Sequence, residues 1–181
     1  MKKLNIVYLI ALMICTSLVQ AKSSLESTSD SKIQWNSIDN AVAQSKSNNK
    51  PFIFVEIYTD WCGWCKKMEE TTLEDEGILD NLNSNFTTVK LNAEAKTPVT
   101  FKGQTYNFVK TGNRGANQLA LNLGSVGGRL GYPTIVVLDA DGNKLQAFPG
   151  FKDTETMNVI LNYYKSGSYK TMDFQQFQST Q

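Results

Sequence analysis

From Pro51 to Tyr58 the chain reads Pro-Phe-Ile-Phe-Val-Glu-Ile-Tyr, and four residues later Cys62-Gly63-Trp64-Cys65 opens a run of good helix formers that reaches Glu70. An apolar, β-branched segment broken only by Glu56 predicts a central strand covered on both faces. A strand that turns directly into a helix puts Cys62 at the helix N-terminus. There the unpaired backbone N–H groups and the macrodipole favour an anion, so the Cys62 thiolate is stabilised over its thiol. Cys65 lies one turn on and on the same face, placed to attack a mixed disulfide formed at Cys62. Gly63 between them allows a substrate to approach closely. Glu56, a lone acid inside an apolar strand, asks for a reason; alternation with Val55 and Ile57 also permits a solvent-facing edge position.

Two other readings of C-x-x-C are open on the residues alone. Half of a structural zinc site would need further Cys or His ligands, or a second copy of the chain to supply them. A plain structural disulfide is the other, although so short a loop constrains the unfolded chain little. The chain holds no His. That removes imidazole metal ligands, the commonest general base, and every Ser–His or Cys–His nucleophile pair.

The N-terminus reads as an export signal, with Lys2 and Lys3 ahead of an apolar stretch from Leu4 to Val19 and a small residue, Ala21, at the expected cut. The apolar run is short for a retained membrane anchor. Cys15 follows Ile14, which is too large for a lipoprotein site. Residues 22–33 are Ser-rich and are expected to be a flexible tether. Loss of residues 1–21 takes the formal charge from +1 to about −1 and leaves Cys62 and Cys65 as the only cysteines, in an oxidising compartment. The near balance of charge gives no sign of a phosphate-binding surface, and nucleic acid is not an expected partner. With 41% apolar residues, 9 Phe, 7 Tyr and 3 Trp in 181 residues, one folded domain is expected.

Along the rest of the chain, helical spacing of Trp35, Ile38, Ala41 and Val42 predicts a first helix behind Asn36 or Ser37. Phe86 to Leu91 reads as a strand. Val99 to Phe101 and Tyr106 to Val109 suggest a hairpin, and Gly115 to Leu123 a short helix ahead of a Gly-rich approach, 124–131, expected to be flexible. Pro133 to Leu138, the turn Asp139 to Gly142 and Lys144 to Phe148 form a second hairpin, followed by a helix from Asp153 to Tyr164. Asp139-x-Asp141-x-Asn143 is similar to the start of a calcium loop, but position 150, where a bidentate acid belongs, is glycine; a turn is the expectation. Residues 167–181 have no assigned element.

Trp61-Cys62-Gly63-Trp64-Cys65-Lys66 after a buried strand, with Gly131-Tyr132-Pro133-Thr134 opening a later one, resembles the thioredoxin superfamily, in particular exported bacterial thioredoxin-like proteins. The resemblance spans about residues 34–165 and implies a three-layer α/β/α domain over 34–166 with a mixed central sheet. Residues 95–130 then form an insertion before the cis-proline strand, and 167–181 a C-terminal tail. By the family pattern Cys62 attacks, Cys65 resolves, Pro133 is the cis-proline and the Tyr132 backbone pairs with substrate. Glu56 matches a buried acid under the disulfide and Lys90 the lysine that accompanies it. Physical chemistry agrees: a desolvated carboxyl has a raised pKa and can take the Cys65 proton, while Lys90 moderates the shift; a solvated Lys90 is the other reading. Trp61 and Trp64, with Tyr58, suggest an apolar rim for an extended substrate. Gly63-Trp64 replaces the family's Gly-Pro, and Tyr132 is bulkier than usual, so the redox poise does not carry over.

The expected function is thiol–disulfide exchange on protein disulfides in the periplasm or cell envelope, in the reducing direction, by a monomer with no cofactor beyond the Cys62–Cys65 disulfide and fed by a membrane electron donor. Oxidase or isomerase activity, or a binding module with a permanently oxidised pair, are the alternatives. The C-terminal Gln178 to Gln181 is not an ER-retention signal, which favours a bacterial envelope.

Overall fold

The computed structural model describes residues 32–181; the expected signal at 1–21 and most of the tether at 22–33 lie outside them. Ile33 already packs on the core. Ile38–Ser47 forms α1, Phe52–Tyr58 β1, Gly63–Thr71 α2, Glu76–Asn85 α3 and Phe86–Asn92 β2. Two short hairpins follow: β3 (Val99–Phe101) with β4 (Gln104–Tyr106), and β5 (Phe108–Thr111) with β6 (Arg114–Asn117). Next come α4 (Gln118–Gly124), β7 (Thr134–Asp139), β8 (Lys144–Pro149) and α5 (Thr154–Lys165). A 3-10 turn at Ser168–Lys170 leads to α6 (Phe174–Gln178).

The central sheet has the order β2-β1-β7-β8, with β1 parallel to β2 and antiparallel to β7, so it is mixed as expected. Alternation along β1 divides its side chains between two cores. Ile53, Val55 and Ile57 meet α1 through Ile38 and Ala41, and α4 through Leu119 and Leu123. Phe52 and Phe54 meet Met68 of α2, Ile78 and Leu82 of α3, and Met157 and Tyr164 of α5. The result is helix layers on both faces of one sheet. Because β1 is flanked on both edges, Glu56 is an interior residue, and the solvent-facing edge reading of it is corrected.

Four local expectations change. No sequence pattern predicts an element over residues 72–85, yet α3 forms there: the Asp75 carboxylate accepts from Gly77 N and Ile78 N at 3.0 and 3.2 Å, and Ile78, Leu79 and Leu82 are buried. The strand expected at Tyr106 to Val109 is broken at Asn107, whose N–H and carbonyl both bond to Gln118 at 2.9 Å, so two hairpins stand where one was expected. The helix in this stretch is part of the layered core and not an addition to it. A Cβ on Gly124 would come within 2.7 Å of Ile57 Cδ1, which shows how closely α4 lies on β1. Finally, the Gly-rich approach is a closed turn, with Val126 and Arg129 exchanging backbone hydrogen bonds around Gly127 and Gly128, both at positive φ.

The Asp139 turn is the expected hairpin: its carboxylate accepts from the Asp141 and Asn143 N–H groups at 3.0 and 2.8 Å. Residues 167–181 are not a free tail. Phe177 is buried, and Phe174 stacks edge-on against Phe148 at 4.9 Å. Phe177→Ala is expected to destabilise by about 3 kcal/mol, read as a lower urea midpoint at unchanged slope. An unchanged midpoint would show that α6 adds nothing to the fold.

Candidate active site

The turn out of β1 delivers Cys62 to the N-cap of α2, where its Sγ accepts from Cys65 N at 3.1 Å. Cys62 and Cys65 are joined by a disulfide. Both cysteines are buried, Cys65 the more completely. A Cβ on Gly63 would meet nothing within 4 Å, so the surface at Gly63 is open. Among the described residues no group of three or more His, Cys, Asp or Glu is placed to hold a metal.

Glu56 lies on the β1 face that α2 covers, in line with Phe52 and Phe54. It is fully buried, and neither carboxylate oxygen has a hydrogen-bond partner. Burial chiefly, with the nearby Glu69 carboxylate second, raises its pKa to about 8, while Lys90 pulls it back. The carboxyl therefore carries its proton at neutral pH. Lys90 sits opposite it on β2 in register. Its Nζ bonds not to Glu56 but to Glu69 of α2 at 2.7 Å, and lies 4.6 Å from the centre of the Tyr58 ring and 5.6 Å from that of Trp35. Tyr58 thus faces Lys90. Glu69 is a partner the sequence reading missed, although it falls on the Cys62/Cys65 face of the helix at a spacing of seven and four residues.

Trp61 and Trp64 are both exposed, and they have different partners. Trp61 packs edge-on against Tyr132 at 5.8 Å, donates from Nε1 to Glu94 Oε2 at 3.0 Å, and has the Arg114 guanidinium 5.8 Å over its ring. Trp64 leans on Phe151 at 5.4 Å with Lys67 at 5.0 Å. The Tyr132–Pro133 bond is cis, and Pro133 is buried with its carbonyl accepting from Gly150 N at 2.7 Å. Through Tyr132 the start of β7 reaches the residue preceding Cys62. Glu94, Arg114 and Phe151 are the other partners missed; each arrives from a distant segment, and no local pattern marks them.

Residues 38–165 match the family described as the thioredoxin-like domain. Over 113 residues the chain is 26% identical to the disulfide bond reductase DsbH of Chlamydia pneumoniae, covering 62% of this chain and 60% of that one. Over 59 residues it is 37% identical to an uncharacterized protein of Caenorhabditis elegans, covering 33% of this chain and 8% of that one. The chain spans less than two thirds of the length of either curated relative. Among solved structures, a thioredoxin-fold protein from Helicobacter pylori superposes with a TM-score of 0.53 at 17% identity, over 73% of this chain and 80% of that one. This likeness agrees with the three-layer fold. Among the described residues no helix is long and apolar enough to cross a membrane.

Proposed function

This chain belongs to the thioredoxin-like domain family, and from that premise we propose that it is a thiol–disulfide oxidoreductase that reduces protein disulfides through Cys62 and Cys65. The observation that carries the reading is the Cys62–Cys65 disulfide at the N-terminus of α2, on the helix that covers a buried, unpartnered Glu56. The likeness to a chlamydial disulfide bond reductase supports the direction.

In the reduced protein the Cys62 thiolate attacks one sulfur of a substrate disulfide, forming a mixed disulfide and releasing the other sulfur as thiolate. Cys65 then passes its proton to Glu56, in the minority of molecules in which that carboxyl is ionised at neutral pH, and attacks Cys62 Sγ. The second substrate sulfur leaves, and two electrons have moved from the dithiol to the substrate. When a donor dithiol reduces the enzyme again, Cys65 is the leaving group and protonated Glu56 returns its proton. Trp61, Gly63, Trp64, Tyr132 and Pro133 bound the surface where the substrate chain lies, with the Tyr132 backbone as its pairing edge. Lys90 and Glu69 set the acidity of Glu56 from either side. Lys90→Met is expected to move the pH midpoint of the resolution step upward, and Glu69→Gln to move it downward. Equal midpoints in single-turnover kinetics would remove both from that role.

The site of action in this reading is the cell envelope, reached by the signal at 1–21 and supplied by a membrane electron donor. Direction is tested by the equilibrium of the Cys62–Cys65 pair with glutathione, followed by Trp61 and Trp64 fluorescence. A potential near the roughly −270 mV of thioredoxins fits the reductase, and one near about −120 mV makes the protein an oxidant.

A further inference from the structure

Resting on the exchange reaction proposed above, we propose that the β5–β6 hairpin makes a binding site for an acidic segment of the polypeptide whose disulfide is attacked, with an apolar pocket between that site and the cysteines. Beside Trp61 lies a cavity of about 320 Å³, lined by Leu121, Leu130 and Tyr132 together with Glu94 and Arg114. It suits an apolar side chain next to the reacting cysteine of the substrate. Arg114 and Glu94 also line a second cavity of about 430 Å³, along with Lys96 and Lys110. The two spaces therefore adjoin across shared residues, Glu94 and, from the hairpin, Arg114 and Gly115.

Charge decides the occupant. The second space gathers three cations, Lys96, Lys110 and Arg114, against one acid, Glu94. That acid is already engaged, accepting from the Trp61 indole. All three cations are exposed, and among the described residues none forms an ion pair. In a chain whose formal charge is only +1, this is a local concentration of like charge that repels itself until an anion arrives. Arg114 ties the cluster to the redox centre through its position over the Trp61 ring. An extended substrate with its cysteine at Cys62 and an apolar side chain in the first cavity carries its next residues into the cationic space, where Asp or Glu side chains are favoured and Lys or Arg are opposed.

The test uses prereduced protein and two synthetic peptides with one internal disulfide, identical except for three Glu or three Lys beside one cysteine. At about 20 mM salt the second-order rate constant for the Glu peptide is expected to exceed that for the Lys peptide roughly tenfold. In about 0.5 M salt the ratio falls below about threefold, because the charges are exposed and screened. The Lys96→Glu/Lys110→Glu double variant is expected to reverse the order. Equal rates for the two peptides at low salt overturn the proposal and leave the redox reading intact, as does a preference that survives the double variant. If neither peptide is reduced, the redox reading itself fails, and this one with it.

Discussion

Cys62→Ser is expected to return dithiothreitol-driven reduction of insulin to the uncatalysed rate, whereas Cys65→Ser retains the first attack and accumulates a mixed disulfide with substrate. The asymmetry follows from position. Cys62 Sγ occupies the N-cap of α2, where the Cys65 N–H points at it and the helix dipole favours a negative sulfur, which is why the proposed reaction begins there. A serine hydroxyl there is not ionised and cannot form the exchange intermediate, so the loss is complete rather than partial. In the proposed reaction Cys65, three residues into the helix and buried, acts only on the bond that Cys62 has made. The trapped species is read by mass after a pulse of disulfide peptide. If wild-type protein gives no acceleration, or Cys62→Ser keeps it, the enzyme reading is lost. A binding module whose Cys62–Cys65 pair remains oxidised is then the one left.

The second large effect concerns stability. Glu56 has a pKa of about 8 in the folded chain against 4.5 as its ordinary value, chiefly because it is buried. Between those values the native state holds a proton that the unfolded state has released, so stability falls as pH rises. The contribution is fully present below about pH 4.5 and is lost as pH rises through about 8. At roughly 1.4 kcal/mol per unit this amounts to a loss on the order of 5 kcal/mol. Glu56→Gln, which cannot ionise, is expected to lose that part of the slope. Urea unfolding of the oxidised protein at pH 5, 7 and 9 should show the two curves diverging, with the variant the more stable at pH 9. Parallel curves would mean that the carboxyl ionises as it would in water. In the same variant, resolution of the mixed disulfide is expected to slow while the first attack does not; unchanged single-turnover kinetics would remove Glu56 as proton acceptor.

Much of the centre is readable in the linear chain because its signals are local. The apolar run at 52–58, the helix formers after Cys62 and the cysteine spacing each act within one or two turns of chain, where sterics and hydrogen bonding depend only on neighbours. The β7–β8 hairpin is legible for the same reason, through Asp139 and Gly142. Helix α3 is not. Glu-Gly-Ile-Leu-Asp-Asn-Leu-Asn-Ser-Asn is a poor helix sequence by propensity, and it forms because Ile78, Leu79 and Leu82 have a core to enter. The break at Asn107 depends in the same way on Gln118, and the order of residues 167–181 depends on the cavity that receives Phe177.

From the sequence alone come the strand, the helix and the cysteine pair at its N-terminus, because each is a matter of residue type at short spacing. Only the tertiary structure decided that Glu56 is protonated at neutral pH, that Lys90 answers to Glu69, and that Arg114 stands over Trp61. Desolvation sums over every neighbour packed around a group, and a contact between segments about 50 residues apart exists only once the sheet has set their distance.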